Sequence, residues 1–302
     1  MRRFRELDWL VLFLASWIAP LAFDEIVGLR YWSSLLFWLV PVNVLAPRFF
    51  FHTDSGGRRR RAFLLAAASI TGLGLILDFV FGSRILRFDE HPEQYLKLIT
   101  APFLAEPIPI EEVFFYALGP IAVLLVYAWN DEYFLSAYSH AARRQRDAPG
   151  FTFIRFSPEA LIWAVVLLAA GVGARAYWSP GSGWFPLYYS FLIIVAVAPA
   201  IVLFRSVAPY VNWRAFAITT LYVVLTSLVW EVLLALPRHW WGYKPAGMIG
   251  LWVRSFSTDL EWRLPIEAVI VWVVTPFSTV FGYEAIKLWQ YARRPAKTVY
   301  EP

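Results

Sequence analysis

Eight apolar segments, each long enough to cross a bilayer as a helix, constrain the fold of this chain more than any other feature. Its 302 residues are 59% hydrophobic and 16% charged, whereas soluble domains are about 45–50% apolar and about 25% charged. A membrane helix needs about 20 mostly apolar residues. The sequence therefore predicts an all-α integral membrane protein with about eight transmembrane helices. They are predicted at residues 8–24, 31–47, 62–82, 108–129, 158–176, 184–204, 214–236 and 264–288.

The distribution of basic residues predicts how these helices are oriented. Of the 27 Lys and Arg residues, 18 fall in one set of loops and termini and 9 fall in the other. Because cytoplasmic loops carry the excess of Lys and Arg, we expect both termini in the cytoplasm and a multi-pass protein of the cell's inner (cytoplasmic) membrane. This topology accounts for the pI of about 9.4, so we expect no nucleic-acid partner.

Acidic residues recur at matched places in the apolar segments. A Pro-Ile-Glu-Glu motif with Glu111 and Glu112 opens the fourth segment, and a Pro-Ile-Glu motif with Glu267 opens the eighth, 156 residues later. The segment before each motif also contains an acid, Asp78 in the first case and Glu231 in the second. An ionisable group is costly to keep in a membrane and indicates a functional site. We therefore take these five acids as candidate site residues.

The spacing of the motifs divides the chain into two similar halves. Residues 1–150 form a predicted first four-helix repeat with the Pro-Ile-Glu-Glu motif, and residues 151–302 form a second with the Pro-Ile-Glu motif. Because each half contains an even number of spans, both halves run in the same direction. Parallel repeats of this kind occur in some transporters.

The five acids admit more than one function. A carboxylate at a helix N-terminus can simply stabilise the helix dipole. Several carboxylates in one low-dielectric site cannot all be ionised, so a protonated acid lies beside an ionised partner. That pairing suits general acid–base catalysis on an apolar substrate, and it equally suits a proton-coupled transporter. A non-catalytic scaffold is disfavoured by the cost of five acids in the membrane.

Aromatic residues are abundant around both acid groups. The chain has 16 Trp, 15 Tyr and 25 Phe. Those near the acids are Phe114, Phe115 and Tyr116 after the first motif, and Trp230, Trp240, Trp241 and Tyr243 around the second acid pair. Aromatic rings stabilise a cation placed over their faces. Acids in an aromatic cavity are therefore suited to generating and guiding a carbocation, although interfacial belts and packing account for most aromatics in any membrane protein.

Other chemistries find little support in the sequence. No Gly-x-Gly-x-x-Gly follows a strand, no Asp-rich motif for magnesium diphosphate is present, and there is no cysteine, so we expect neither a cofactor nor a bound metal. Lys287 lies three residues from Glu284 in the last segment, which indicates a helix ion pair rather than a Schiff-base lysine. Asp24 and Glu25 are interpreted as loop acids.

The repeated motif resembles that of the lycopene cyclase domain family, the FAD-independent type made of two small membrane subunits or their fusion in bacteria, archaea and fungi. Pro109, Glu111 and Glu112 match the family pattern Pro-x-Glu-(Glu/Asp) in full. In the second motif Glu267 matches, but Ala268 replaces the second acid. Glu231 is the nearest candidate to supply the missing group.

The resemblance implies an isomerase-type carotenoid or terpenoid cyclase that acts on the end group of a polyene such as lycopene. The family's acids protonate the end of the polyene and manage the resulting cation without a redox cofactor. The apolar substrate would come from the bilayer, membrane lipids would be the surroundings, and a homo-oligomer is left open. We further expect Glu111 and Glu267 to face one cavity near the outer leaflet. The alternative is a proton-coupled transporter that uses the same acids.

Overall fold

The computed structural model describes residues 2–51, 58–88, 92–102, 104, 106–140, 158–179, 185–253, 259 and 262–292. Within these residues seven helices are long and apolar enough to cross a membrane, and one apolar helix is shorter. In chain order they are α1 (Leu7–Val27), the shorter α2 (Tyr31–Pro47), α3 (Arg60–Ile85), α4 (Ile110–Phe134), α5 (Pro158–Trp178), α6 (Leu187–Tyr210), α7 (Trp213–Ala235) and α8 (Ile266–Ala292). The prediction of an all-α, multi-pass membrane protein is confirmed.

All eight predicted segments coincide with these helices, and the segment predicted at 31–47 is the shorter helix α2. The predicted boundary between the halves, at residues 150 and 151, lies outside the described residues.

Helix α4 lies at the centre of the fold, where it packs against α2, α3, α7 and α8. Its second half, from Ala122 to Trp129, is fully shielded from the surroundings. Helix α5 lies at the periphery and exposes large apolar side chains, among them Leu161, Ile162 and Trp163. A continuous apolar surface of this kind suits contact with lipid.

Among the residues that the structure describes, three short antiparallel pairs of strands connect the helices on the side of the acidic motifs. They are β1 (Leu86–Arg87) with β4 (Gly242–Tyr243), β2 (Leu98–Ile99) with β3 (Ile108–Pro109), and β5 (Trp252–Val253) with β6 (Leu264–Pro265). The β2–β3 and β5–β6 hairpins each end in the proline of a motif, and α4 and α8 begin at the next residue. Proline suits this junction because its ring fixes the backbone φ angle at a value that a helix start can use. Proline also has no backbone N–H, and an N–H at the start of a helix has no partner within the helix.

The acids of the preceding helices also occupy equivalent positions. Asp78 begins a five-residue π-helical turn near the end of α3, and Glu231 begins one at the end of α7. π-Helical turns are frequent at functional sites, although further turns of this type occur in α1, α4 and α6. The widened backbone therefore marks both acids but is not specific to them.

The interpretation of Asp24 as a loop acid is wrong. Asp24 lies in the last turn of α1 and is buried. Its carboxylate accepts a hydrogen bond from the Leu29 N–H at 2.9 Å and one from Arg238 Nε at 2.9 Å. Sequence periodicity ended the first segment at residue 24, but this ion pair with the chain after α7 stabilises a further turn of helix.

Candidate functional site

A cavity of about 360 Å³ lies among α2, α3, α4, α6, α7 and α8. Two carboxyl groups line it, Glu112 from the first turn of α4 and Glu231 from the end of α7. One acid therefore comes from each half of the chain. The other side chains around the acids are mostly aromatic. They are Tyr31, Trp38, Phe115, Tyr116, Tyr188, Phe191, Trp230, Trp241, Tyr243 and Trp272.

Glu112 lies among other carboxyl groups and has few hydrogen-bond donors around it. Its side chain is buried and accepts a hydrogen bond from the Tyr31 hydroxyl. Asp78 and Glu111 are close enough to interact with it electrostatically. Asp78 is itself buried behind Tyr116, whose hydroxyl donates to it. Three neighbouring carboxyl groups in a low-dielectric site repel one another when ionised, so this side of the cavity favours retention of a proton.

Glu231 has a contrasting environment that is rich in donors. Its buried carboxylate accepts hydrogen bonds from the Tyr243 hydroxyl, from Trp272 Nε1 at 2.8 Å and from the Trp241 indole. Hydrogen bonds to a charged carboxylate are stronger than those between neutral groups. The three donors therefore stabilise a negative charge at this position.

Tyr243 is positioned by the β1–β4 pair, outside the membrane helices. Burial raises the pKa of the Tyr243 phenol well above its ordinary value, and the facing Glu231 carboxylate raises it further. The phenol therefore stays neutral at physiological pH and remains a hydrogen-bond donor to Glu231.

The acids of the two motifs that were expected to share the cavity do not line it. Glu111 Oε1 accepts from the Leu96 N–H at 2.5 Å, and Glu267 Oε1 accepts from the Ile249 N–H at 2.5 Å. Neither carboxylate is among the side chains that line the cavity, contrary to that prediction. Adjacent residues on a helix differ by about 100° in direction, so when Glu112 points into the cavity Glu111 points to the preceding loop.

A buried arginine supports the loop that holds Glu267. The Arg175 guanidinium, from α5, donates to the Ala246 carbonyl at 2.7 Å and to the Met248 carbonyl. It also interacts electrostatically with Glu267. Sequence reasoning did not identify Arg175 as a supporting residue, because a single charge near the end of the predicted segment 158–176 has no recognisable partner in the sequence.

The aromatic walls face the acids in pairs. Trp38 and Trp272 stack with ring centroids 5.7 Å apart, and Phe115 and Trp230 stack at 5.4 Å. Ring faces carry negative potential and attract cations within about 6 Å. The aromatic side chains that line the cavity can therefore stabilise a cation placed over an open ring face.

Sequence reasoning missed several of these side chains, including Tyr31, Trp38, Tyr188 and Trp272. Each is an aromatic residue inside or beside an apolar segment, where it has the same pattern as a residue of the packed interior. No signal in one sequence separates the two roles. Sequence reasoning did identify Trp230, Trp241 and Tyr243, because they lie near Glu231 in the sequence.

The far part of the cavity is lined by small residues and extends along α8. Gly119, Ser278, Thr279 and Gly282 contribute to it. From Trp272 to Gly282 the helix advances about 15 Å, at 1.5 Å per residue. The cavity is therefore elongated along the helix direction, with its acids at one end.

Beyond that far end lies a buried ionic cluster. Lys287 Nζ is 3.0 Å from Glu284 Oε1, which confirms the predicted helix ion pair. Asp131 and Glu132, at the end of α4, approach the same ammonium at 3.7 and 3.8 Å. The Tyr127 hydroxyl donates to Glu284 at 3.1 Å. The cluster joins α4 to α8 below the cavity.

In the part of the chain that the structure describes, no group of three or more His, Asp or Glu side chains is arranged to bind a metal ion. Comparisons with protein-family models, with curated proteins and with solved structures found no match. The function is therefore inferred from the geometry of the cavity together with the motif resemblance.

Proposed function

We propose that this protein is a membrane-embedded cyclase that closes a ring at the end of an apolar polyene such as lycopene, with no change of oxidation state. The observation that carries this proposal is the pairing of Glu112 and Glu231 in one aromatic cavity. The two carboxyls have opposite surroundings, one among acids and the other among donors. Such a contrast is what assigns acid and base roles to paired carboxyls.

The chemistry follows from these surroundings. Protonated Glu112 gives its proton to the terminal double bond of the polyene, which forms a C–H bond and leaves a tertiary cation. A nearby double bond attacks this cation and closes the ring through a new C–C bond. The Glu231 carboxylate then takes a proton from the ring carbon beside the new cation, which restores a double bond. The substrate and the product are isomers, so the reaction requires no oxidant or reductant.

The aromatic walls support the middle of this sequence. The cation exists between the proton transfers, when it is furthest from either carboxylate. The stacked pairs Trp38–Trp272 and Phe115–Trp230 line the space between the acids. Their faces stabilise the cation by about 0.5–2 kcal/mol each, and their hydrocarbon surface keeps out water that would capture it.

The resemblance to the lycopene cyclase domain family agrees with this assignment, and the assignment accounts for the one departure from the family motif. The second motif has Ala268 where the first has Glu112, and Ala268 is fully buried. In the proposed site the second half contributes its acid from α7, as Glu231, instead of from α8. The substitution of the second motif acid by alanine is therefore compatible with catalysis.

We also propose that the fold is two parallel four-helix repeats, with α2 as the eighth span. The β1–β4 pair supports this, because Leu86 pairs with Tyr243 and Arg87 pairs with Gly242. Suppose that Leu86 corresponds to Gly242 in the other half and Arg87 to Tyr243. The first residue of each strand then pairs with the second residue of the other strand, and these reciprocal contacts are those of a two-fold interface. That correspondence is a shift of 156 residues, the same as the shift between the motifs. With eight spans both termini lie on one side, which the basic residues place in the cytoplasm.

A proton-coupled transporter is the second candidate. The observation that favours it is the ionic cluster of Lys287, Glu284 and Asp131 beyond the far end of the cavity. Ionisable groups within membrane helices mark ion pathways and proton relays. The cluster lies on α4 and α8, two of the helices that line the cavity, so it is placed to serve in such a cycle.

The experiment that separates the two functions uses the purified protein in phosphatidylcholine vesicles that contain lycopene. The pigments are extracted and separated after incubation, and vesicles without protein serve as the control. A cyclase yields an isomer of lycopene with one or two rings. Unchanged lycopene at every time point contradicts the proposal. A proton flux across sealed vesicles without any new pigment supports the transporter instead.

A further inference from the structure

The proposed cyclisation leaves the site in the wrong protonation state for a second turnover. After ring closure Glu231 carries the proton that came from the substrate, and Glu112 has lost the proton it donated. The two side chains have separate hydrogen-bond partners, Tyr31 for Glu112 and Tyr243 for Glu231. Their carboxyls are not bonded to each other, so groups between them must carry the proton back.

Only some of the groups around Glu231 are able to do this. A relay group must accept a proton on one side while it releases one on the other. The Trp241 and Trp272 indoles that bond Glu231 are donors only, whereas a tyrosine hydroxyl both donates and accepts. Of the three side chains that donate to Glu231, Tyr243 is therefore the one that can start a relay.

Tyr188 continues the path from Tyr243. Their rings stack with centroids 6.1 Å apart and an interplanar angle of 20°, which places the two phenols side by side. Tyr188 is buried in α6 and lines the cavity. It is close enough to interact electrostatically with Glu231 and Glu267 from the second half of the chain and with Glu112 and Asp78 from the first. Tyr188 is therefore within reach of the acids of both halves.

Tyr116 completes the path on the other side. It lines the cavity, interacts electrostatically with Tyr188 and donates its hydroxyl hydrogen bond to Asp78. Asp78 in turn is one of the carboxyls that interact electrostatically with Glu112. The route through Tyr31 is different, because the ring that separates Tyr31 from Glu231 is the donor-only indole of Trp241.

We infer that a chain of three tyrosine hydroxyls, with Tyr188 at its centre, returns the proton from Glu231 to Glu112 between turnovers. The chain runs through Tyr243, Tyr188 and Tyr116 and reaches Glu112 by way of Asp78. At each step one O–H bond breaks and one forms. The net change is a proton removed from Glu231 and a proton gained by Glu112, with no electron transfer. Because these acids have their roles only in the proposed cyclase, the relay rests on that function.

The relay has a consequence that a purely structural role for Tyr188 does not have. A protein molecule that starts with a proton on Glu112 can complete one cyclisation without the relay. It can complete a second only after the proton returns. Loss of the Tyr188 hydroxyl is therefore expected to slow repeated turnover and to leave the first turnover intact.

The experiment compares Tyr188→Phe with wild type in lycopene-containing phosphatidylcholine vesicles under two conditions. With protein in excess over lycopene, each molecule acts once, and we expect Tyr188→Phe to give a product yield and rate within about twofold of wild type. With lycopene in excess, we expect the rate of Tyr188→Phe to fall about tenfold or more, since proton transfers of this kind contribute about 100-fold or more. Tyr189→Phe is the matched control, because Tyr189 is adjacent on α6 but does not line the cavity.

Three results would overturn the relay or its basis, and each is distinct. If Tyr188→Phe retains wild-type turnover with lycopene in excess, the proton returns by another path. If Tyr188→Phe is slowed equally under both conditions, Tyr188 acts in ring closure or in folding rather than in the return. If wild type itself forms no cyclic product, the proposed function fails and the relay fails with it.

Discussion

Glu112 and Glu231 line one buried cavity although they come from opposite halves of the chain and from helices with different positions in those halves. The first half contributes the acid of its fourth helix, and the second half contributes the acid of its third. Their counterparts, Ala268 and Asp78, do not line the cavity. In the proposed site the two acids therefore come from different positions in the two halves, instead of forming two equivalent pairs.

The complementary arrangement predicts that Glu112→Gln abolishes cyclisation. Glutamine keeps the size of the side chain and can still accept the hydrogen bond from Tyr31, but it cannot deliver a proton. We expect the rate of product formation to fall about 100-fold or more, with unchanged yield of folded protein. Glu93→Gln is the matched control, because Glu93 is exposed and lies away from the cavity. Near wild-type conversion by Glu112→Gln would show that another group is the acid.

Glu231→Gln is expected to fail at a later step than Glu112→Gln. The amide can neither take the ring proton nor stabilise the cation by its charge, yet Glu112 can still protonate the polyene. Reversal of that protonation in D2O introduces deuterium into recovered lycopene. We therefore expect deuterium in lycopene recovered from Glu231→Gln and none above background in lycopene recovered from Glu112→Gln, as measured by mass spectrometry. Equal labelling by the two variants would contradict the assignment of acid and base.

The sequence predicted the helices better than it predicted the direction of each acid. Hydropathy located each membrane segment, since a run of about 20 apolar residues has few alternatives to a helix in lipid. It could not assign Glu111 and Glu112 to different roles, because that choice depends on the rotation of α4 about its axis. The rotation is set by packing against four other helices, and it leaves no pattern in a segment that is apolar on all faces.

Contacts between the halves were also beyond the sequence. The Asp24–Arg238 ion pair and the cavity position of Tyr188 depend on residues brought together by tertiary packing. In contrast, the Lys287–Glu284 pair was predictable, because residues three apart on a helix are neighbours wherever the helix packs.

Glu111 and Glu267 do not line the cavity, so we expect them to respond to substitution differently from Glu112. Each accepts a hydrogen bond from a loop N–H, and a glutamine oxygen can accept the same bond. We expect Glu111→Gln and Glu267→Gln to retain most activity. Glu111→Ala removes the acceptor of the part-buried Leu96 N–H, and Glu267→Ala removes that of the buried Ile249 N–H. Loss of the buried bond should lower the free energy of unfolding by about 1–3 kcal/mol, and loss of the part-buried one by less. Loss of activity in Glu267→Gln with unchanged stability would instead give Glu267 a direct part in the chemistry.

The ionic cluster beyond the cavity is expected to contribute to stability rather than to cyclisation. Lys287→Met removes the ammonium that lies against Glu284, Asp131 and Glu132. Breaking a buried pair by removing one partner costs about 3–5 kcal/mol, because a charge is left uncompensated. Thermal unfolding in detergent should show a lower midpoint for Lys287→Met and partial recovery in the double variant Lys287→Met/Glu284→Gln. A midpoint equal to that of wild type would contradict this role.

The length of the cavity predicts that its far end, and not the acids alone, determines which polyenes are accepted. Gly282 lines the cavity about 15 Å along α8 from Trp272, at 1.5 Å per residue. A Cβ built at Gly282 meets its nearest atom, Ile70 Cδ1, at 4.0 Å, so an added Cβ fits at ordinary van der Waals distance and a branched side chain takes up cavity space. We expect Gly282→Val to fold normally, since valine is no worse than glycine in a helix, and to lower conversion of lycopene about tenfold by displacing the chain from the acids. A shorter acyclic polyene, which does not reach Gly282, should be converted at nearly the wild-type rate.

Gly173→Val, on the exposed face of α5 with no atom within 4 Å of its Cβ, controls for the same substitution in a membrane helix. If Gly282→Val slows both substrates equally, the substitution acts on the fold or on the acids, and the far end of the cavity does not hold the polyene.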